Sequence, residues 1–220
     1  QSSSTELDDY RQTASVRAPA LEEAVAARPG EHYRVHLRGV SAKNGAETFQ
    51  VYVASHLLGD WHNFRAAKDQ DGIPFAVHKI TRKQTCDEVQ GCVFYEHFGL
   101  AVSRDYLKAR IRKGIELTVT GPSSEMLVRV PPEYVVGFLA RFDSERARQM
   151  ADAGIAGVSI SLDGLQTVHD RLRGVVGSFA AALRALENLR AWRVPVTVNS
   201  QINRLSMPDL EGLLDVITAA

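Results

Sequence analysis

The sequence predicts an α+β composite: a mainly antiparallel β-rich domain followed by an αβαβα segment that forms a parallel sheet or a piece of a (β/α) barrel. Three observations predict it. Between residues 32 and 130, apolar and polar residues alternate in short runs separated by turn-forming sequences such as KNG, DQDG and TGPSS, the period-two pattern of half-buried strands. After about residue 143 the pattern becomes one of helical stripes alternating with short strands. Composition changes at the same place: all six tyrosines, both cysteines and every lysine precede it, and the remainder carries positive charge only as arginine. The expected organisation is a flexible tail over residues 1–30, a β-rich domain with two short helices over 31–142, and a helix–strand region over 143–220.

Charge narrows the partners. Lys plus Arg and Asp plus Glu number 26 each among 220 residues, so no net field favours nucleic acid or an anionic membrane. No apolar run reaches the roughly 20 residues of a membrane span. The chain opens on polar QSSSTELDDY rather than a basic, apolar signal, so an export signal is expected to have been removed or never to have existed.

Taken in order, the first 30 residues read as a loose tail with one short helix in LEEAVAARPG, stopped by Pro-Gly. Strands are expected at HYRVHLRGV, ETFQVYVAS, PFAVHKIT, CVFYEHFGLAV, IELTVT and EMLVRV, giving a mainly antiparallel sheet or sandwich. Helices are expected over 103–113, stopped by Gly114, and over 131–141, opened by Pro131-Pro132. They would cover an open face or edge.

Cys86 and Cys92 bracket CDEVQGC, and in a β-rich domain the natural reading is a disulfide pinning a loop before a strand. So short a ring contributes about 2 kcal/mol. Free thiols and a metal site are the alternatives; zinc usually takes closer cysteine pairs with further ligands at fixed spacing, which are not found here. Glu96 beside His97 suggests acid–base chemistry, but neighbours on a strand point to opposite faces. The six histidines of this region, at 32, 36, 56, 62, 78 and 97, lack the paired helical spacing of a zinc motif and read as surface or sheet residues. Trp61, Phe64, Tyr95 and Phe98 read as core rather than as a binding face. Small exported bacterial domains of unknown role share this general pattern of strands, a two-cysteine loop and a trailing amphipathic helix.

Beyond residue 143, Asp143 or Ser144 can cap a helix in ERARQMADA that Gly154 ends, and the strand GVSISL follows. Ser178 can cap FAAALRALENLRAW, whose Phe179, Ala182, Leu183, Leu186 and Leu189 form one apolar stripe. The strand VPVTVNSQI comes next, then a helix in MPDLEGLLDVITA with Ser206 and Asp209 as a capping-box-like start. Val158, Ile160, Leu162, Val196 and Val198 alternate with Ser159, Ser161, Asp163, Thr197, Asn199 and Gln201, so each strand has one apolar and one polar face. In a (β/α) barrel the apolar face packs on outer helices, and polar groups at strand C-termini reach the active-site mouth. Polar strand ends can equally be polar because they meet solvent.

The residues themselves carry a resemblance. SxSLDG, HDxLRG, GSF opening a helix, then VTVN and a following arginine closely resemble the middle of radical SAM enzymes of the peptide- and protein-maturing type. The resemblance is limited to about residues 143–220 and corresponds to the family's fourth and fifth barrel strands. It implies a partial (β/α) barrel in which Ser161 and Asp163 lie near the adenosylmethionine ribose and substrate. By the same resemblance Asn199 and Gln201 line the cofactor pocket, and Arg204 pairs with the cofactor carboxylate. His169, Asp170, Arg171 and Arg173 are expected to fix a loop through capping and ion pairs.

In that family a three-cysteine motif after the first strand holds a 4Fe-4S cluster, and such clusters need clustered thiolates. Only two cysteines, six positions apart, are present here. The first three barrel strands of the family pattern and everything after its fifth helix have no counterpart, so exposed strand edges are expected to be covered by a partner or by self-association. No catalytic residue is assigned, and no cofactor is expected for this chain alone; S-adenosylmethionine and the cluster enter only through the resemblance. A truncated or recombined gene product, an assembly artefact and a two-domain protein using the half-barrel as a scaffold all fit this pattern. The radical SAM part implies a cytoplasmic protein, and a disulfide-bearing domain implies a periplasmic or secreted one. Two rival expectations follow: an exported binding module whose C-terminal region is incidental, and a half-site completed by a cysteine-bearing partner chain.

Overall fold

The computed structural model describes residues 4–8, 13–24, 30–42, 46–87, 91–122 and 124–219, and the chain divides into two compact units, Gln1–Phe142 and Asp143–Ala220. It is an α+β mix, rich in antiparallel sheet. In chain order the first unit contains β1 (Ser4–Asp8), β2 (Thr13–Arg17), β3 (Leu21–Ala24), β4 (His32–Ser41), β5 (Glu47–Leu58), β6 (Ala66–Asp69), β7 (Pro74–Ala76), β8 (His78–Asp87) and β9 (Gly91–Val102). Helix α1 (Arg104–Ala109), β10 (Ile115–Thr120), β11 (Glu125–Val130) and the start of α2 (Pro132–Asp152) follow.

Two antiparallel sheets result. One is ordered β1-β2-β4-β5-β9-β8, with β3 pairing the other half of β4; the second is ordered β11-β10-β6-β7. Alternation decides which face is buried: Tyr33, Val35 and Leu37 of β4, Phe49, Val51 and Val53 of β5, and Phe98 and Leu100 of β9 share one core with Leu117, Val119 and Val128 of the second sheet. Tyr33 joins the two, its hydroxyl accepting a hydrogen bond from the Arg129 backbone N–H at 3.1 Å. The helix face bearing Val135, Phe138 and Phe142 closes the core; Phe142 fills the space that a side chain on Gly39 would need. Below α1, the buried Arg110 pairs with Asp69, which also accepts from the Tyr106 hydroxyl at 3.1 Å. Burial pushes the Tyr106 hydroxyl up to about 12.

Cys86 and Cys92 form a disulfide across the β8–β9 pair, where they are register partners. The bridge therefore closes a hairpin rather than pinning a loop ahead of one strand. Glu96 and His97 point to opposite faces as strand geometry requires: Glu96 is buried and accepts from the backbone N–H groups of Asn63 at 2.9 Å and Phe64 at 3.3 Å. Among the described residues no group of three His, Cys, Asp or Glu could hold a metal ion.

Four expectations fail locally. Leu21–Ala24 is a strand, not the start of a helix, because its cross-strand partners on β4 satisfy its backbone and the Leu21 side chain packs on the core; residues 25–29 of the expected helix lie outside the described residues. Much of the expected tail is likewise strand, in β1 and β2. Residues 131–141 and the following ERARQMADA run are not two helices: α2 continues through Asp143 and Ser144 without a break, since neither proline nor glycine interrupts positions 138–152. Residues 110–113 leave the helical path after α1 as a turn.

The second unit contains the end of α2, then β12 (Val158–Ser161), α3 (Gln166–Arg173), α4 (Ser178–Ala191), β13 (Val196–Asn199), a short 3-10 turn Met207–Asp209 and α5 (Leu210–Ala219). β12 and β13 are parallel, in the register Val158↔Val196 to Ser161↔Asn199. Two small clusters hold the unit: Ala147, Leu189 and Val194, and Leu162, Phe179 and Leu213. HDRLR lies on helix α3, and its Asp170 and Arg173 make a cap and an ion pair of the kind expected there. Ser206 does not cap α5; it lies in helical backbone with no capping bond, and its hydroxyl donates instead to the Gln201 carbonyl at 3.0 Å.

Candidate functional site

The site is built on the two parallel strands of the second unit. Val158 and Ile160, with Val196 and Val198, are half-buried and pack on the apolar clusters, which leaves Ser159, Ser161, Thr197 and Asn199 exposed on the opposite face. The face is ordered: Asn199 Nδ2 donates to Ser159 Oγ at 2.8 Å, and Ser161 lies in register beside Asn199. It is a row of hydroxyl and amide groups able both to donate and to accept.

Asp163 occupies a different position. It is only 6% exposed, its Oδ1 accepts from the Gln201 backbone N–H at 2.8 Å, and its Oδ2 forms an ion pair with Arg173 at 2.5 Å. These contacts turn the carboxylate into the unit and tie the end of the first strand to the segment leaving the second. Gln201 keeps an exposed side chain, and Arg204 is exposed in the following turn; among the described residues no hydrogen bond or ion pair joins Arg204 to the others.

The segment between β12 and α4 is held by its own polar groups. Asp163 N–H donates to His169 Nδ1 at 3.0 Å, which places the imidazole proton on Nε2. Burial, reinforced by the nearby Arg173 cation, pulls the His169 pKa below the usual range and keeps the ring neutral. The Asp170 carboxylate accepts from the Gly177 N–H at 2.6 Å, the Phe179 N–H at 2.8 Å and the Ser178 hydroxyl at 2.9 Å, so it caps α4 from the preceding helix. Those donors, the Phe179 N–H first, hold Asp170 below the ordinary carboxylate range. Ser178 is thus bonded to the capping group and does not itself cap the helix; Gly177 stands at the cap position. Asp209 accepts from the Leu165 N–H at 2.8 Å, closing the same loop from the other side.

Ser161 and Asn199 are therefore brought side by side, Asp163 and Gln201 are linked through a backbone bond, and Arg204 stands apart. The sequence leads to an ion pair for Arg173 but not to Asp163 as its partner. Its signal was the four-residue helical spacing from His169, which sets both residues on one face of α3 toward Asp163.

Two known proteins are similar over part of this chain. Across 75 residues, 34% of the chain, it is 33% identical to the Fe-coproporphyrin III synthase of Methanosarcina barkeri, of which that stretch is 19%. Across 71 residues it is 28% identical to the sporulation killing factor maturation protein SkfB of Bacillus subtilis, covering 17% of that protein. The chain spans less than a fifth of the length of these curated relatives. No family model and no solved structure matches it.

Proposed function

We propose that residues 143–220 are a piece of a radical SAM-type (β/α) barrel whose exposed strand face, Ser161 and Asn199 with the Gln201 side chain, supplies part of an adenosylmethionine- or substrate-binding surface. One observation carries this reading: two parallel strands in register present polar groups on one face and bury apolar groups on the other, the division that a barrel interior and its outer helices require. The order of sequence motifs and the partial similarity to a protein named for maturation support it. Asp163 acts in this reading as a positioning residue, holding Gln201 through the backbone, and Arg204 is the group that would have to swing to meet a cofactor carboxylate.

The donor set does not fit an iron-sulfur cluster. Both cysteines of the sequence are consumed by the disulfide of the first unit, and three free thiolates are needed. We therefore derive no radical step for this chain, and its role in such chemistry would require cluster ligands from another chain. Amide NMR tests the surface directly: titration with adenosylmethionine should shift Ser161 and Asn199, and an Asn199→Leu variant should not respond. Unchanged spectra up to about 10 mM ligand, weaker than any useful affinity, would overturn the reading.

The disulfide favours a second reading, in which the first unit is an exported binding module and the second unit is incidental to it. Mass spectrometry without reductant on protein recovered from the periplasm should then find Cys86 and Cys92 oxidised. Free thiols there would remove that reading.

A further inference from the structure

The outer face of the larger sheet in the first unit carries two arginines side by side. Arg17 of β2 and Arg38 of β4 are register partners, and like charges set directly opposite each other on a sheet repel. Both line a cavity of about 450 Å³, with Ser15, Val40, Thr48 and Gln50 among its walls. That size lies in the range of small-molecule sites. The guanidinium of Arg38 is half-buried and held in place: its Nε donates to Gln50 Oε1 at 2.7 Å, and it lies over the Tyr52 ring at 4.7 Å. Gln50 reaches it because Gly99 leaves room, a side chain on Gly99 falling on the Gln50 amide.

Among the described residues neither arginine has a carboxylate partner; the nearby Glu47 is taken by Arg104 at 2.6 Å. Arg38 spends one of its five donors on Gln50, which leaves its terminal nitrogens for the cavity. Next along β4, His36 is 8% exposed, stacks on Tyr52 and has an Nε2 without a hydrogen-bond partner. Burial, then the charges of Arg17 and Arg38, hold this ring neutral. A half-buried guanidinium held in place beside a second, exposed one, neither with a carboxylate partner among the described residues, is arranged for an oxyanion.

We propose that this cavity binds a small oxyanion-bearing ligand, a carboxylate or a phosphate ester, clamped between Arg17 and Arg38 with Gln50 fixing the Arg38 fork. No bond is made or broken; the assignment is of a binding site, independent of the role proposed for the second unit.

Calorimetric titration of the full chain in low-chloride buffer, with inorganic phosphate in one arm and benzoate in the other, tests it. Saturation of one site tighter than about 1 mM by either anion is expected. Phosphate alone would identify a phosphate ester as the ligand class, benzoate alone a carboxylate, and both an unselective oxyanion site. The Arg17→Gln/Arg38→Gln pair should weaken binding by more than roughly tenfold, while Arg17→Lys/Arg38→Lys should recover part of it. Loss of the like-charge contact should leave the melting temperature of the glutamine pair unchanged or higher; should that pair not fold, the single change at exposed Arg17 carries the comparison. As a second readout, the bound anion should raise the pH at which the His36 ring titrates by NMR. No saturable binding of either anion up to about 50 mM, or equal affinity in the glutamine variants, would overturn the proposal.

Discussion

The two units bury their apolar residues in different ways. In the first, two antiparallel sheets and one helix face enclose a single core in which Val35, Leu37, Val51, Val53, Leu100 and Leu117 are wholly shielded from solvent. In the second, two strands paired only with each other among the described residues rest on two clusters of three buried residues each. Large apolar side chains also remain exposed there, including Val176, Ile202, Met207 and Leu214. Antiparallel sheets are completed by short local connections, whereas a parallel pair needs neighbours on both sides and cover on both faces. The first unit encloses one large core; the second leaves one face of its strand pair polar and exposed.

Core truncation should separate the two most strongly. Leu100→Ala in the first unit should cost about 3–5 kcal/mol, and Leu162→Ala in the second about 2–3 kcal/mol because its smaller cluster can relax around the gap. Each unit holds one tryptophan, Trp61 and Trp192, so fluorescence in a denaturant titration, with the other tryptophan changed to Phe, reads them individually. Equal losses would show that the second unit packs as firmly as the first.

Acid should distinguish them next. Burial, with the charges of Arg17 and Arg38, lowers His36 to about 4, and burial also lowers His56 and His97, while the second unit has only His169 so affected. A histidine depressed in the folded state leaves the unfolded chain binding more protons, so stability falls as pH drops below about 6.5. For His36 the loss runs from there to about pH 4 and is on the order of 3 kcal/mol. The Trp61 transition should therefore move further than the Trp192 transition between pH 7 and 4.5, and a larger shift at Trp192 would contradict the assignment.

Reduction of the Cys86–Cys92 bridge is a smaller perturbation, about 2 kcal/mol, and should act on the first unit alone. Arg82, two strand residues away from Gln84, lies 4.0 Å over the Trp61 ring, so the same fluorescence reports loosening of that hairpin. Smallest of all, Ser161→Ala and Asn199→Ala should change stability by less than about 0.5 kcal/mol, because both side chains are exposed. A large loss would make the polar face structural rather than a binding surface.

How much of this was legible in the sequence follows from the same contrast. IELTVT alternates strictly, and EMLVRV, although Met126, Leu127 and Val128 are all apolar, is a short apolar run bounded by the TGPSS turn and Pro131; both strands are found residue for residue at Ile115–Thr120 and Glu125–Val130. LEEA has helical propensity, and only its tertiary partners on β4 make Leu21–Ala24 a strand. Asp143 and Ser144 look like caps, yet capping signals do not stop a helix that has no breaker and an apolar face to bury. In the site, the polar strand positions Ser161 and Asn199 were readable from alternation. That Asp163 would turn inward was not, because its partners Arg173 and Gln201 lie on other elements, and pairing across elements leaves no local pattern.

The most direct test of the central claim is anaerobic reconstitution of the full chain with iron and sulfide, followed by reductant and adenosylmethionine. The account predicts that less than stoichiometric iron is retained and that no adenosylmethionine is cleaved by this chain alone. One cluster per chain together with reductive cleavage of adenosylmethionine would contradict it.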